Sequence, residues 1–240
     1  MPVQQVRLAL YFPSLTVDAF SLAGIRAVWG EYRKATLLPP ATLRDTSEPS
    51  KQGADLVASE RWPLGLMMFD GGEDCETRLC QSDRMGVTWD AKKTGRPYPG
   101  YDQFKSILAE RFRQLTDTLV HNGLDTAPIP NCCECIYENV LEDVPASRIM
   151  YRIITGANAT AELPRSTSDF FKHHYHWDGR NRYANVIVVN NPKRSTRVIF
   201  EVTAEQTSDE TPKPDEWRTD IDLCHSQARQ LYADFIEGAK

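Results

Sequence analysis

The sequence predicts an α+β fold, in which a mostly antiparallel sheet packs against three amphipathic helices. Three observations predict it. Strand-like segments come in runs joined by short turns, which forces antiparallel pairing. Three segments carry apolar residues at helical spacing. Strands and helices do not alternate regularly, so a doubly wound parallel sheet is not expected. The 240 residues are read as one α+β domain. A run of strands followed by a long helix occurs twice without a sequence repeat, so two fused units, 1–141 and 142–240, fit the same pattern.

The elements follow in order. In residues 5–12, Val6, Leu8, Leu10 and Phe12 share one face and Arg7, Ala9 and Tyr11 the other, the signature of a half-buried strand that Pro13 ends. Thr16 reads as an N-cap, with Asp18 in the first turn. Val17, Phe20, Ile25, Val28, Trp29 and Tyr32 then recur at helical spacing to residue 33. Residues 38–62 are rich in Pro, Ser, Thr and charge and read as a long loop suited to binding. A three-strand meander is expected at 63–70, 75–81 and 85–90, with Met85, Val87 and Trp89 on one face.

The firmest element is a helix over 101–121. Tyr101, Phe104, Ile107, Leu108, Phe112, Leu115 and Leu119 form its apolar stripe, and Asn122-Gly123 forms its C-cap. Strands are expected near 131–141 and near 148–155, with Pro145 between them, and 156–180 reads as irregular. YANVIVVN and STRVIFEVT form a hairpin around Asn190-Asn191-Pro192-Lys193, with Val198, Phe200 and Val202 on one face. Residues 205–219 read as a polar linker. Thr219 with Asp222 resembles a capping box that opens a helix over 220–237, whose apolar face holds Ile221, Cys224, Ala228, Leu231, Phe235 and Ile236.

Composition narrows the function classes. Hydrophobic residues make up 41% and charged residues 25%, which suits a folded domain rather than a disordered one. A net charge of −5 argues against general nucleic-acid binding. No apolar run approaches the ~20 residues of a membrane helix, and the N-terminus does not read as a signal peptide. A cytoplasmic protein with reduced thiols is therefore expected, although the six cysteines, at 75, 80, 132, 133, 135 and 224, are even in number.

Few residues nominate chemistry. Cys132, Cys133 and Cys135 lack the paired spacing of a structural zinc site. In a strand, Cys133 and Cys135 share a face and Cys132 takes the other, so core thiols are the favoured reading. In a strand, His174, His176 and Asp178 would share a face and could hold a metal, but no motif supports it and none is favoured. With Trp177, Arg180 and Arg182, the two histidines form the candidate ligand or partner surface. Basic and aromatic residues around Arg180, Arg182, Lys193, Arg194 and Arg197, interleaved with Tyr175, Trp177 and Tyr183, could track a single strand of nucleic acid. Gly71-Gly72 lacks a phosphate-loop context, and no nucleophile elbow or zinc-protease motif is present, so catalytic residues stay unassigned.

The stretch DRMGVTWDAKKTGRPYPGYDQFKSILAERFRQLTDTL resembles a sporadically distributed bacterial family of proteins of this size class without assigned function. The resemblance rests on the opening strand VRLALYF and on the helix entry Tyr98, Gly100, Tyr101 and Phe104. It rests further on the strand CECIYENVLE and on a closing D-x-x-H helix from Asp220 to Phe235 that carries His225. It implies an accessory gene of the kind found in mobile or defence-linked loci.

The expected function is thus that of a non-catalytic interaction protein of such a locus, toxin–antitoxin-like or phage-defence in type. It would act on a protein partner, without a cofactor and without a membrane, and a homodimer is compatible. Two alternatives stand beside it. One is a metal- or thiol-dependent enzyme using segments 132–135 and 173–178. The other is a small-ligand binder with a pocket between the sheet and helix 101–121.

Overall fold

A computed structural model describes residues 3–13, 34–38, 66–70, 76–81, 83–121, 127–155, 170–177, 181–191, 195–206 and 211–237. The helix read at 16–33, the loop 38–62 beyond Leu38, and Asn122-Gly123 lie outside these residues.

The strands are β1 (Val3–Tyr11), β2 (Lys34–Leu38), β3 (Leu66–Asp70), β4 (Glu76–Gln81), β5 (Arg84–Asp90), β6 (Cys132–Glu142), β7 (Phe170–Trp177), β8 (Asn181–Asn191) and β9 (Ser195–Glu205). They form one sheet in the order β2-β3-β4-β5-β1-β6-β9-β8-β7, antiparallel throughout. The helices are α1 (Ala91–Thr94), α2 (Tyr101–His121), α3 (Ala146–Thr155) and α4 (Glu216–Phe235). Antiparallel pairing of strands that follow one another in sequence builds the two outer parts of the sheet, β2 to β5 on one side and β7 to β9 on the other. The first strand of the chain lies in the middle, where β1 pairs with both β5 and β6.

Alternation decides which face of the sheet is apolar. Val6, Leu8 and Leu10 of β1, Met85, Val87 and Trp89 of β5, Cys133 and Cys135 of β6, and Val198, Phe200 and Val202 of β9 are all buried in one core cluster. The helices close that face. From α2 come Phe104, Leu108, Phe112, Leu115 and Leu119, and from α4 come Trp217, Ile221, Cys224, Ala228, Leu231 and Phe235. α2 lies over β1 and β5, α4 over β6 and β9, and α3 over β8. The α+β architecture, the meander, the hairpin and the register of α2 agree with the sequence pattern. Among the described residues no helix is long and apolar enough to cross a membrane.

Three expectations are corrected. The strand expected near 148–155 is helix α3. Ala146, Ile149, Met150 and Ile153 bury one face at helical spacing, and the Pro145 carbonyl accepts the Arg148 N–H at 3.1 Å to open the first turn. The β-branched Ile153-Ile154-Thr155 imitates a strand, but packing beside α4, where the Arg152 guanidinium donates to the Asp234 carbonyl at 2.7 Å, favours the helix.

The segment read as irregular at 156–180 contains strand β7. Phe171, His173, Tyr175 and Trp177 are half-buried, and Phe170, Lys172, His174 and His176 are exposed, a two-residue period masked in sequence by polar residues on both faces. Finally, α4 starts at Glu216 and not near 220, because Trp217 is already core. Thr219 and Asp222 therefore form no capping box. Asp222 instead accepts from Lys105 and Tyr101 of α2.

The second face of the sheet is polar yet partly buried. The Arg7 guanidinium donates to Glu134 at 2.8 Å, and the Tyr11 hydroxyl donates to the same carboxylate at 3.1 Å. Asn185 donates to Glu201 at 3.3 Å, and Arg197 to Glu138 at 2.7 Å. Each carboxylate in this belt has a donor, as burial of charge requires.

Candidate functional site: a tyrosine–histidine cleft

A cleft opens on the helical side, where the end of β5, the start of α2, strand β6 and helix α4 meet. Local structure builds its rim. Asp90 ends β5 and caps α1, its carboxylate accepting the N–H groups of Lys92 at 2.8 Å and Lys93 at 3.3 Å. Gly95 closes α1 at a φ of 62°, a left-handed conformation that suits glycine. The chain then passes through Arg96, Pro97 and Tyr98 to Gly100. Gly100 has a φ of 95°, and its carbonyl accepts the Phe104 N–H at the entry to α2. This turn sets Tyr98 over the sheet, with its ring 5.3 Å from Trp89 and 5.9 Å from Phe104.

The cleft is a groove open to solvent with a volume of about 960 Å³, and its lining includes Trp89, Arg96, Tyr98, Tyr101, Asp102, Tyr137, Asp222, His225 and Arg229. His225 is its centre. The imidazole stacks on Tyr101 with centroids 3.7 Å apart and planes 5° from parallel. Its Nδ1 lies 2.8 Å from the Tyr137 hydroxyl, which in turn lies 3.5 Å from the Tyr98 hydroxyl. Beside this chain the Tyr101 hydroxyl donates to Asp222 at 2.7 Å, and the Lys105 ammonium reaches both Asp222 oxygens at 2.6 Å.

The environment sets the protonation states. Burial, assisted by the Arg229 charge, pushes His225 down to about 4, against the opposing pull of Asp102 and Asp222. Burial raises the Tyr98, Tyr101 and Tyr137 phenols well above their ordinary range. Asp222 is held below the usual carboxylate range by the Lys105 and Tyr101 hydrogen bonds, which outweigh its desolvation. At neutral pH the site therefore has a neutral imidazole, neutral phenols and an ionised, doubly contacted carboxylate. A general acid or base works best with a pKa near the working pH. The imidazole and the phenols lie far from it.

The sites read from sequence are placed differently. His174 and His176 stand exposed on β7, facing away from the helices. Trp177 packs into the core edge on the helical side, and Arg182 pairs with it in register on β8. The set is therefore divided between two faces. His174 Nδ1 lies 3.1 Å from the Asn185 amide oxygen, and its ring is 5.5 Å from Tyr183. Asp178 and Arg180 lie outside the described residues, as do Lys193 and Arg194. Tyr175 and Trp177 pack towards the core while Tyr183 is buried on the opposite face, so no continuous stacking surface forms.

Cys133 and Cys135 of β6 are buried under α4 together with Cys224 of that helix, with the Cys133 and Cys224 sulfurs 3.9 Å apart. Burial and the neighbouring thiols push Cys133 and Cys135 well up, which keeps them as thiols and not nucleophiles. Cys133 and Cys135 are separated from His174 and His176 by the sheet itself and by three strand spacings, about 14 Å. Among the described residues no three His, Cys, Asp or Glu side chains come together as a metal site would need.

No sequence motif nominates the cleft residues as a site. Tyr98, Tyr101 and His225 belong to the segments that carry the family resemblance, and their convergence from separate elements has no local signature. Neither the protein-family models nor the curated proteins contain a match to this chain.

Proposed function

We propose that the protein binds a small ligand in the cleft between α2, β6 and α4. The carrying observation is a concave site of about 960 Å³ in which a stacked Tyr101–His225 pair, two further phenols and two arginines converge. That volume and mixture of ring surface with a few polar groups suit a small organic molecule. The displaced protonation states favour binding over proton transfer. In the bacterial accessory locus that the resemblance implies, the protein serves as a cytoplasmic ligand-responsive component.

A thermal-shift screen of small aromatic and polar metabolites tests the reading. A ligand at 100 times its Kd stabilises by roughly 2.7 kcal/mol. Tyr101→Ala should abolish the shift while the protein remains folded by circular dichroism. A screen with no stabilising compound, or a shift unchanged in Tyr101→Ala, sinks the cleft as the binding site.

A second reading, a protein-binding component of toxin–antitoxin-like or phage-defence type, draws on β7. This strand is an edge of the described sheet, and an edge strand can add a strand from a partner. Copurification from the native host separates the two readings. A stoichiometric protein partner that is lost on Lys172→Pro favours the edge, and recovery of the protein without one favours the cleft.

A further inference from the structure

The polar face of the sheet carries a hydrogen-bonded row far from the cleft. The ladder sets His174 of β7 opposite Asn185 of β8, and Asn185 opposite Glu201 of β9. Side chains opposite one another in a ladder share a face, so the three stand side by side. The Asn185 Nδ2 donates to the Glu201 Oε2 at 3.3 Å, and the Asn185 Oδ1 lies 3.1 Å from the His174 Nδ1. Asn185 and Glu201 are buried, whereas His174 is exposed.

This row fixes the tautomer of the imidazole. A carboxylate only accepts, so Asn185 turns its amide nitrogen to Glu201 and its amide oxygen to His174. The amide oxygen also only accepts. In the neutral ring the His174 Nδ1 therefore carries the proton, and Nε2 is left as a lone pair. Among the described residues that Nε2 has no hydrogen-bond partner.

A second imidazole stands beside it. His176 is exposed two positions along β7 on the same face, with its Cα about 7 Å from that of His174. In the ladder His176 is opposite Tyr183, and the His174 ring lies 5.5 Å from that same tyrosine. The His174 ring thus leans along the strand towards the His176 row. Among the described residues His176 has no hydrogen-bond or ion-pair partner.

We propose that His174 and His176 bind a divalent metal ion of the zinc, nickel or copper class. The His174 Nε2 and the His176 imidazole are the two protein ligands. Imidazole suits these ions. A metal-bound histidine characteristically donates its other ring N–H to an oxygen acceptor, which holds the tautomer and the ring angle. Asn185 is that acceptor for His174, and Glu201 holds Asn185 in turn. Two protein ligands leave an open, exchangeable site with water in the remaining positions, unlike a closed structural centre. The site lies on the opposite side of the sheet from the cleft and does not depend on the cleft holding a ligand.

The test uses the full chain without a histidine tag. Titration calorimetry with zinc or nickel chloride should give one ion per chain, and magnesium chloride none, because magnesium prefers oxygen ligands. His174→Ala and His176→Ala should each remove that binding. His173→Gln, on the same strand but the opposite face, should leave it unchanged. Asn185→Leu should weaken binding by roughly tenfold to a hundredfold while circular dichroism stays that of the parent. Nitrogen-resolved NMR of the histidine side chains examines the same role without a substitution. In the parent, His174 should carry its proton on Nδ1, and its Nε2 resonance should shift when zinc is added.

Absence of stoichiometric zinc or nickel binding by the parent overturns the site. Binding that persists in both histidine variants overturns it as well, because the ion then sits elsewhere in the chain. An equal loss in His173→Gln would show only adventitious capture by exposed imidazoles. A proton on Nε2 of His174, or an affinity unchanged in a folded Asn185→Leu, overturns the role given to Asn185.

Discussion

His225 should make the fold sensitive to acid in a defined window. In the unfolded chain its imidazole titrates near 6.5, and in the folded protein burial and Arg229 hold it down to about 4. Between those values the unfolded state binds the proton and the folded state does not. Stability is therefore full above pH 6.5 and falls as the pH drops towards 4. The gap from 6.5 to about 4 corresponds to an upper limit of ~3.4 kcal/mol. Water reaches part of the ring, so the effective contribution is about 1–2 kcal/mol.

His225→Gln removes the titration while keeping a polar group able to meet Tyr137. Urea unfolding of parent and variant at pH 7.0 and pH 4.5 isolates the effect, because the other acids and histidines contribute to both proteins alike. The parent should lose roughly 1–2 kcal/mol more than the variant over that interval. Equal losses, or a larger loss in the variant, would refute the placement of a neutral imidazole between Tyr101 and Tyr137.

Three further outcomes follow from the packing. Phe112 is buried against Phe12 and Trp217, with ring centroids 6.1 Å from each, so Phe112→Asp should cost about 4 kcal/mol or more, and a melting temperature equal to the parent's would show that the register of α2 is wrong. Gly86 of β5 pairs with Ala9 of β1, and a Cβ there would stand 3.0 Å from the Leu8 carbonyl oxygen and 3.2 Å from the Ala9 Cβ. Gly86→Ala should therefore destabilise by about 1–3 kcal/mol in chemical denaturation, and a stabilised variant would contradict that close approach. Asn139 is fully buried, and among the described residues neither its amide nitrogen nor its amide oxygen has a hydrogen-bond partner. Asn139→Leu should leave stability unchanged or raise it by about 1–2 kcal/mol in differential scanning calorimetry, whereas a large loss would reveal a polar contact at that site.

Much of the architecture was legible because it rests on period. Val6, Leu8 and Leu10 alternate, and Phe104, Leu108, Phe112, Leu115 and Leu119 repeat at helical spacing, so each buried face could be read from its own segment. Segments with mixed signals were misread for the same reason. Ile153-Ile154-Thr155 has strand propensity but belongs to a helix held beside α4. FFKHHYHW alternates only in burial, since both of its faces carry polar groups. The start of α4 was placed late because a polar, Pro-rich approach hides Trp217, which packs edge-to-face on Phe112.

The sequence by itself determined the fold class, the buried faces of the central strands and of α2, and the sharing of one strand face by Cys133 and Cys135. Those features depend on residues a few positions apart. Only the tertiary structure decided the cleft. Tyr98, Tyr101, Tyr137, Asp222 and His225 come from a turn, two helices and a strand, up to 127 positions apart in sequence. The depression of the His225 pKa comes from burial under that assembly, an effect that no spacing along the chain encodes.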